Sequence, residues 1–206
     1  MSKDQKSNTD KPDLFFVMDI ETNGTIPGVN SMLSIGTVVV TAAGEILHRF
    51  DSYTKLLPEP WPFVADPDTM EWWKGFPEAW REVNLDQQDP RKAMENFARF
   101  VRHVADAFHA KPVAACMPSW DFAFVLNYLG RHLGREGIEL FGHRPLCIKT
   151  MTYALSPEAE NFRSLRPPEE WSTVRHDHTA LADAIGHAEA LSHLLRARSY
   201  KKEDPK

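Results

Sequence analysis

Cysteine is scarce, with only Cys116 and Cys147 in 206 residues. That count excludes a disulfide-stapled secreted scaffold. Each thiol lies inside a short apolar run, so both are expected to be buried and free in a reducing cytoplasm. No window approaches the roughly 18 uninterrupted apolar residues of a membrane span, and none is expected. The first residues, MSKDQKSNTDKPD, lack the apolar core of a secretory signal. Basic residues are in the minority, with 24 Lys and Arg against 29 Asp and Glu, for a formal net charge of −5. This argues against a broad positive track along a polyanion. It leaves open a compact site whose clustered carboxylates bind cations, which would reverse the local charge. Internal repeats are absent, as is any linker long enough to divide the chain.

What is present is enough for one full hydrophobic core: 42% hydrophobic residues, with 12 Phe and 6 Trp. Residues 1–12 and 201–206 are polar and expected to be disordered at the start and frayed at the end, which leaves a domain over 13–200. DLFFVMDIET (13–22) reads as a buried strand ending in acids, and SMLSIGTVVVT (31–41) as a second strand. The turn AAG (42–44) leads to a third over 45–56. The Pro- and aromatic-rich stretch 58–83 predicts short helices on a surface flap. Apolar residues three and four apart over 91–108 predict an amphipathic helix. A fourth strand is expected over 111–118, a helix over 120–134, a fifth strand over 145–150 and a final helix over 179–198. A hairpin followed by alternating strands and helices indicates an α/β fold with a mixed sheet flanked by helices.

Asp19 and Glu21 stand two apart in the first strand, so their side chains leave one face at a Cα separation of roughly 6.6 Å. Two carboxylates at the mouth of the apolar run LFFVM are costly unless a cation compensates, and hard oxygen ligands suit Mg2+ or Mn2+. Taken alone, the pair also fits a strand that simply surfaces in two solvated acids. Asp121 follows the short apolar strand, and Asp183 lies at the start of the last helix, five residues after His178. Either acid alone is ordinary, because carboxylates favour helix N-termini.

Together, DIET (19–22), SIG (34–36), SWDFAF (119–124) and HTALADA (178–184) resemble the successive motifs of the DEDDh exonucleases, from residue 14 to about 192. TMEWWKGFPEAW (69–80) resembles a stand-alone branch of phage exonucleases and bacterial exoribonucleases. The resemblance implies an RNase H-like mixed sheet of five strands. It implies two divalent cations, Mg2+ or Mn2+, held by Asp19, Glu21, Asp121 and Asp183. It also makes His178 the base that takes a proton from the attacking water, with His176 as the rival. Met117 stands where many members carry Asn four residues before the second aspartate, so a side-chain contact to substrate there is in doubt.

The resemblance places Thr22 against the terminal 3′ nucleotide. Met32 and Leu33 are candidate apolar contacts to the last base, with core packing as the even alternative. Of Trp72 and Trp73, one is expected to plug the core and the other to stack on a base, without the sequence saying which. The implied activity is 3′–5′ hydrolysis of single-stranded ends to 5′-mononucleotides by a homodimer, with RNA favoured over DNA. A DNA-directed exonuclease is the alternative within the fold. A catalytically inactive nucleic-acid-binding domain is the alternative from another class, and a terminal phosphatase ranks third.

Overall fold

A computed structural model of the chain describes residues 11–155, 161–162 and 165–203, with side chains placed to residue 198. The expected disorder of residues 1–10 and the tail residues 204–206 fall outside the described residues. Five strands form one mixed sheet in the order β3-β2-β1-β4-β5. The central strand β1 (Asp13–Thr22) pairs antiparallel with β2 (Met32–Thr41), which pairs antiparallel with β3 (Ser52–Lys55). On its other side β1 pairs parallel with β4 (Lys111–Cys116), and β4 with β5 (Leu146–Cys147). The mixed five-stranded sheet flanked by helices is the architecture expected from the sequence.

Alternation along β1 sorts its side chains between two cores. Leu14, Phe16, Met18 and Ile20 face α3 (Pro90–Ala107) and α4 (Ala123–Leu133), which is followed by the short α5 (Arg135–Glu139). Phe15 and Val17 face α7 (Ala180–Glu203), joined there by Ala184, Ala188, Leu191 and Leu195. Helix α3 forms where its stripe requires, with Ala93, Met94, Phe97, Ala98, Val101, Val104 and Ala105 all buried. Asp89 caps it by accepting a hydrogen bond from the Lys92 amide at 3.0 Å, and Pro90 occupies the first helical position.

Several boundaries differ from the sequence expectation. The third strand is shorter, because residues 48–50 form a helical turn, and Ile46 only bridges to Val40 before β3 begins at Ser52. The fifth strand lasts two residues before α6 (Ile148–Leu155) starts. There the Cys147 Sγ accepts from the Thr150 amide at 3.4 Å and hydroxyl at 3.0 Å, acting as a helix cap. The β-branched residues that suggested a strand therefore enter a helix at the sheet edge. Cys116 is buried and Cys147 half-buried, and both thiols are free. The last helix runs to Glu203, into the stretch expected as tail.

The flap contains the short helices α1 (Pro67–Trp73) and α2 (Pro77–Val83). Backbone hydrogen bonds tie it to the loop after β1, from the Asp66 amide to the Asn23 carbonyl at 2.8 Å and from Val64 to Val29 at 2.9 Å. Among the described residues no helix is long and apolar enough to cross a membrane.

Candidate active site

On the α7 face of β1 the apolar residues Phe15 and Val17 are followed by Asp19 and Glu21. Asp19 pairs in register with Gly36 of β2, and Gly36 is why the last helix can reach this point. A Cβ there would lie 2.2 Å from the Ala180 carbonyl oxygen, so only glycine lets the start of α7 press onto the sheet. One turn later Asp183 comes alongside the pair, and carboxylate oxygens of Asp19, Glu21 and Asp183 all lie within 4.8 Å of one another.

Asp121 arrives from the other side, beyond the end of β4. The expected helix over 120–134 does not start as an α-helix. Residues Pro118–Phe122 form one π-helical turn, with the Phe122 amide donating to the Met117 carbonyl at 3.4 Å. Such turns recur at functional sites because they re-aim a side chain. Here Asp121 is 2% exposed, and one of its oxygens accepts from the Met117 amide at 2.8 Å. The Met117 side chain is exposed and lines the cleft where an Asn was in question.

These acids line an open cleft of about 560 Å³ that also includes Thr22, Asp66, Asp68, Trp72, Trp120, His176 and His178. None of the described residues that line it is Lys or Arg. The electrostatic cost of that arrangement is visible in the ionisation of the acids. Burial raises Asp19 well above the usual carboxylate range, and Asp121, Glu21 and Asp183 raise it further. Burial and then Asp183 and Asp121 push Glu21 up to about 9. Asp121 is raised to about 7, chiefly by burial. Burial raises Asp183 too, with His176 pulling it back.

The donor set fits divalent cations. His176 Nδ1 lies 2.5 Å from the buried Asp183 Oδ1. A cation would draw on these carboxylate oxygens and relieve the repulsion among the acids.

His178 stands at the mouth with φ +62°, a backbone state uncommon outside glycine. Its ring packs against Phe76 and Trp72, with centroids 4.2 and 4.9 Å away. Burial lowers its pKa below the ordinary histidine value, and His176 lowers it further, so the ring is neutral at pH 7. The two flap tryptophans lie in different surroundings. Trp73 is buried, and its indole N–H donates to the Thr22 carbonyl at 2.9 Å. Trp72 is 43% exposed and lines the cleft. Thr22 also lines the cleft, its hydroxyl donating to the Gly24 carbonyl at 2.7 Å.

Met32 and Leu33 require a correction as base contacts. Their exposures are 0% and 1%, and neither lines the cleft. Both pair faces of β2 are covered at this point, so the apolar side chains that looked available in the sequence are core. Sequence reasoning also missed His187, one helical turn after Asp183. Its Nδ1 is inaccessible and lies 3.8 Å from Asp19 Oδ1, and burial lowers its pKa to about 4. The four-residue step from Asp183 was the only signal for it. Phe76 and Trp120 lay within the quoted motifs, but only the flap and the π turn set them beside the site.

A mixed five-stranded sheet whose central strand, π turn and last helix bring four acids and a histidine into one cleft defines a DEDDh-type 3′–5′ exonuclease of the RNase H-like fold. The comparisons with known proteins agree. The family described as the 3′–5′ exoribonuclease Rv2179c-like domain matches residues 15–195. The 3′–5′ DNA exonuclease Cap18 of Escherichia coli is 33% identical over 199 residues, covering 95% of this chain and 97% of that protein. Among solved structures, a 3′-exonuclease that recognises the histone mRNA stem-loop superposes with a TM-score of 0.65 at 13% identity, over 91% of this chain and 84% of that one. E. coli exonuclease I with a dA16 oligonucleotide gives 0.58 at 16% identity, over 95% of this chain but 44% of that one. The chain thus spans less than half the length of exonuclease I, and these distant structures bear on the fold alone. The chain belongs to the Rv2179c-like family of metal-dependent 3′–5′ exonucleases.

Proposed function

We propose that this protein shortens single-stranded DNA from its 3′ end, releasing 5′-mononucleotides. The observation that carries the reading is the convergence of Asp19, Glu21, Asp121 and Asp183, from three separate elements, in one open cleft with His178 at its mouth. Two divalent cations, Mg2+ or Mn2+, held by the four acids would neutralise the scissile phosphate and favour ionisation of the attacking water. His178 takes the proton from that water as its oxygen joins phosphorus. The bond from phosphorus to the 3′ oxygen of the preceding nucleotide then breaks, and that oxygen leaves with a proton from solvent. Thr22 receives the terminal nucleotide, and exposed Trp72 offers a stacking face to an unpaired base.

DNA takes precedence over RNA because the relative that is 33% identical over nearly the whole chain is a DNA exonuclease. The expected RNA preference rests only on the branch resemblance and the family's description. A cleft with no Lys or Arg among its described lining residues favours gripping a short end over tracking a duplex. The same reading carries a homodimer acting in the cytoplasm. Its oligomeric part fails if the mass in solution is that of a monomer throughout the micromolar range.

The deciding experiment follows 5′-labelled and 3′-labelled single strands of DNA and RNA, with matched duplexes, in Mg2+ and Mn2+. The expected result is stepwise shortening of single-stranded DNA from the 3′ side. Cleavage of circular strands would defeat the exonuclease reading. Faster RNA hydrolysis would restore the RNA preference and leave the mechanism intact.

A further inference from the structure

A second set of donors shares Asp183 with the acid pair. Ligand atoms of His176, His178 and Asp183 all lie within 4.8 Å of one another, and the two imidazole rings are 4.4 Å apart, centre to centre. The Asp183 side chain is 2% exposed, and its Oδ1 faces His176 Nδ1 at 2.5 Å. The His176 side chain is 66% exposed, so an ion can reach the group directly from solvent. Asp177, between the two histidines, is engaged elsewhere, since one of its oxygens accepts from the Thr179 amide at 3.0 Å and hydroxyl at 2.7 Å. The HDH sequence therefore presents two imidazoles beside a buried carboxylate oxygen.

The two donor sets differ in chemistry. Asp19, Glu21 and Asp183 supply oxygen alone, which suits Mg2+ or Mn2+. Two imidazoles with one carboxylate suit Zn2+, with a fourth position left for water. Zinc–nitrogen bonds of about 2.0–2.1 Å need donors closer than they now stand, and rotation of exposed His176 can supply the closure.

We propose that His176, His178 and Asp183 form a site for a zinc-class cation, and that filling it switches hydrolysis off. The bound ion occupies the lone pair that His178 uses on water and an oxygen that Asp183 gives to the hydrolytic cations. No covalent bond within the protein forms or breaks, and a chelator reverses the effect. The inhibitory part rests on the role of His178 proposed above, whereas the binding part does not.

The test uses the full chain. Zn2+ affinity is read by competition with a chromophoric chelator, and Co2+ serves as the spectroscopic probe. In the wild type Co2+ should develop the visible bands of a low-coordinate nitrogen–oxygen site. Those bands should persist in Glu21→Gln and vanish in both His176→Ala and His176→Gln. Zinc affinity should fall by more than about tenfold in the two His176 variants. The zinc concentration that halves hydrolysis, relative to each variant's own Mg2+ activity, should rise by a similar factor. Equal zinc affinity in wild type and both His176 variants would overturn the site. So would bands lost in Glu21→Gln but kept in His176→Ala, which would place the ion among the carboxylates. Binding with the expected mutational pattern but undiminished Mg2+-dependent hydrolysis would overturn the inhibitory role alone. If no strand is hydrolysed, the binding measurements still decide the site while the proposed function fails.

Discussion

The two faces of β1 agree for half the strand and then part. On the α3 and α4 side, Leu14, Phe16, Met18 and Ile20 remain apolar and buried to the end. On the α7 side, Phe15 and Val17 are buried in the same way, but Asp19 and Glu21 take the next two positions. The first face is a continuous source of burial free energy, worth roughly 1.5–3 kcal/mol for each large side chain. The second face sets like charges close together in a place that penalises ionisation. One strand can do both because side chains alternate across it, so the apolar face anchors what the acidic face strains. The site lies where stability is given up for chemistry.

Substitutions on opposite faces should therefore separate activity from stability. Asp19→Asn should lower the hydrolysis rate by about 10³-fold or more. Yet its melting temperature without cations should equal or exceed that of the wild type, because folding no longer has to bury an acid among other acids. A melting temperature well below wild type would break the contrast. Phe16→Ala should do the reverse, losing about 3–5 kcal/mol of folding stability in denaturant titrations. The fraction still folded should hydrolyse at close to the normal rate, and a hundredfold loss per folded molecule would show the two faces to be coupled.

The acidic face should also give the cation-free protein an inverted pH dependence. Glu21 titrates at about 9 in the folded state, against about 4.3 for an unperturbed glutamate. Between those values the folded chain binds more protons than the unfolded one, so stability falls as pH rises. In the presence of chelator the melting temperature should decline from pH 5 to pH 9. Millimolar Mg2+ or Mn2+ should raise it more at pH 9 than at pH 5. A melting temperature that climbs with pH in chelator would show that the acids do not repel one another as described. The smallest effect is expected at the cleft's edge. Trp72→Ala should weaken single-strand binding by about 1–3 kcal/mol with little change in melting temperature, read by fluorescence anisotropy beside a thermal melt.

Much of this was legible in the chain before any coordinates. The apolar run of β1, the stripe of α3 and the start of α7 appear as local periodicities, and local periodicity dictates which residues need burial. The four acids and His178 stood out through the resemblance of their motifs to those of the DEDDh exonucleases. The end of β3, the short β5 and the π turn were not, because each depends on which partner backbone is in reach. For example, residues 145–150 have strand composition, but an edge with two residues of pairing lets Ile148 begin a helix.

What the sequence by itself determined is the fold class, the alternation that aims Asp19 and Glu21 to one side, and the glycine at position 36 that a close approach requires. Tertiary structure alone decided who meets whom. It withdrew Met32 and Leu33 into the core, sent Trp73 inward and Trp72 outward, and set His187 beside Asp19 and His176 beside Asp183. The physical reason is range. Propensity and alternation act over a few residues and can be read from neighbours in the chain. Burial, charge repulsion and cation affinity depend instead on groups separated by more than a hundred residues in sequence, which only the packing of α7 across Gly36 brings together.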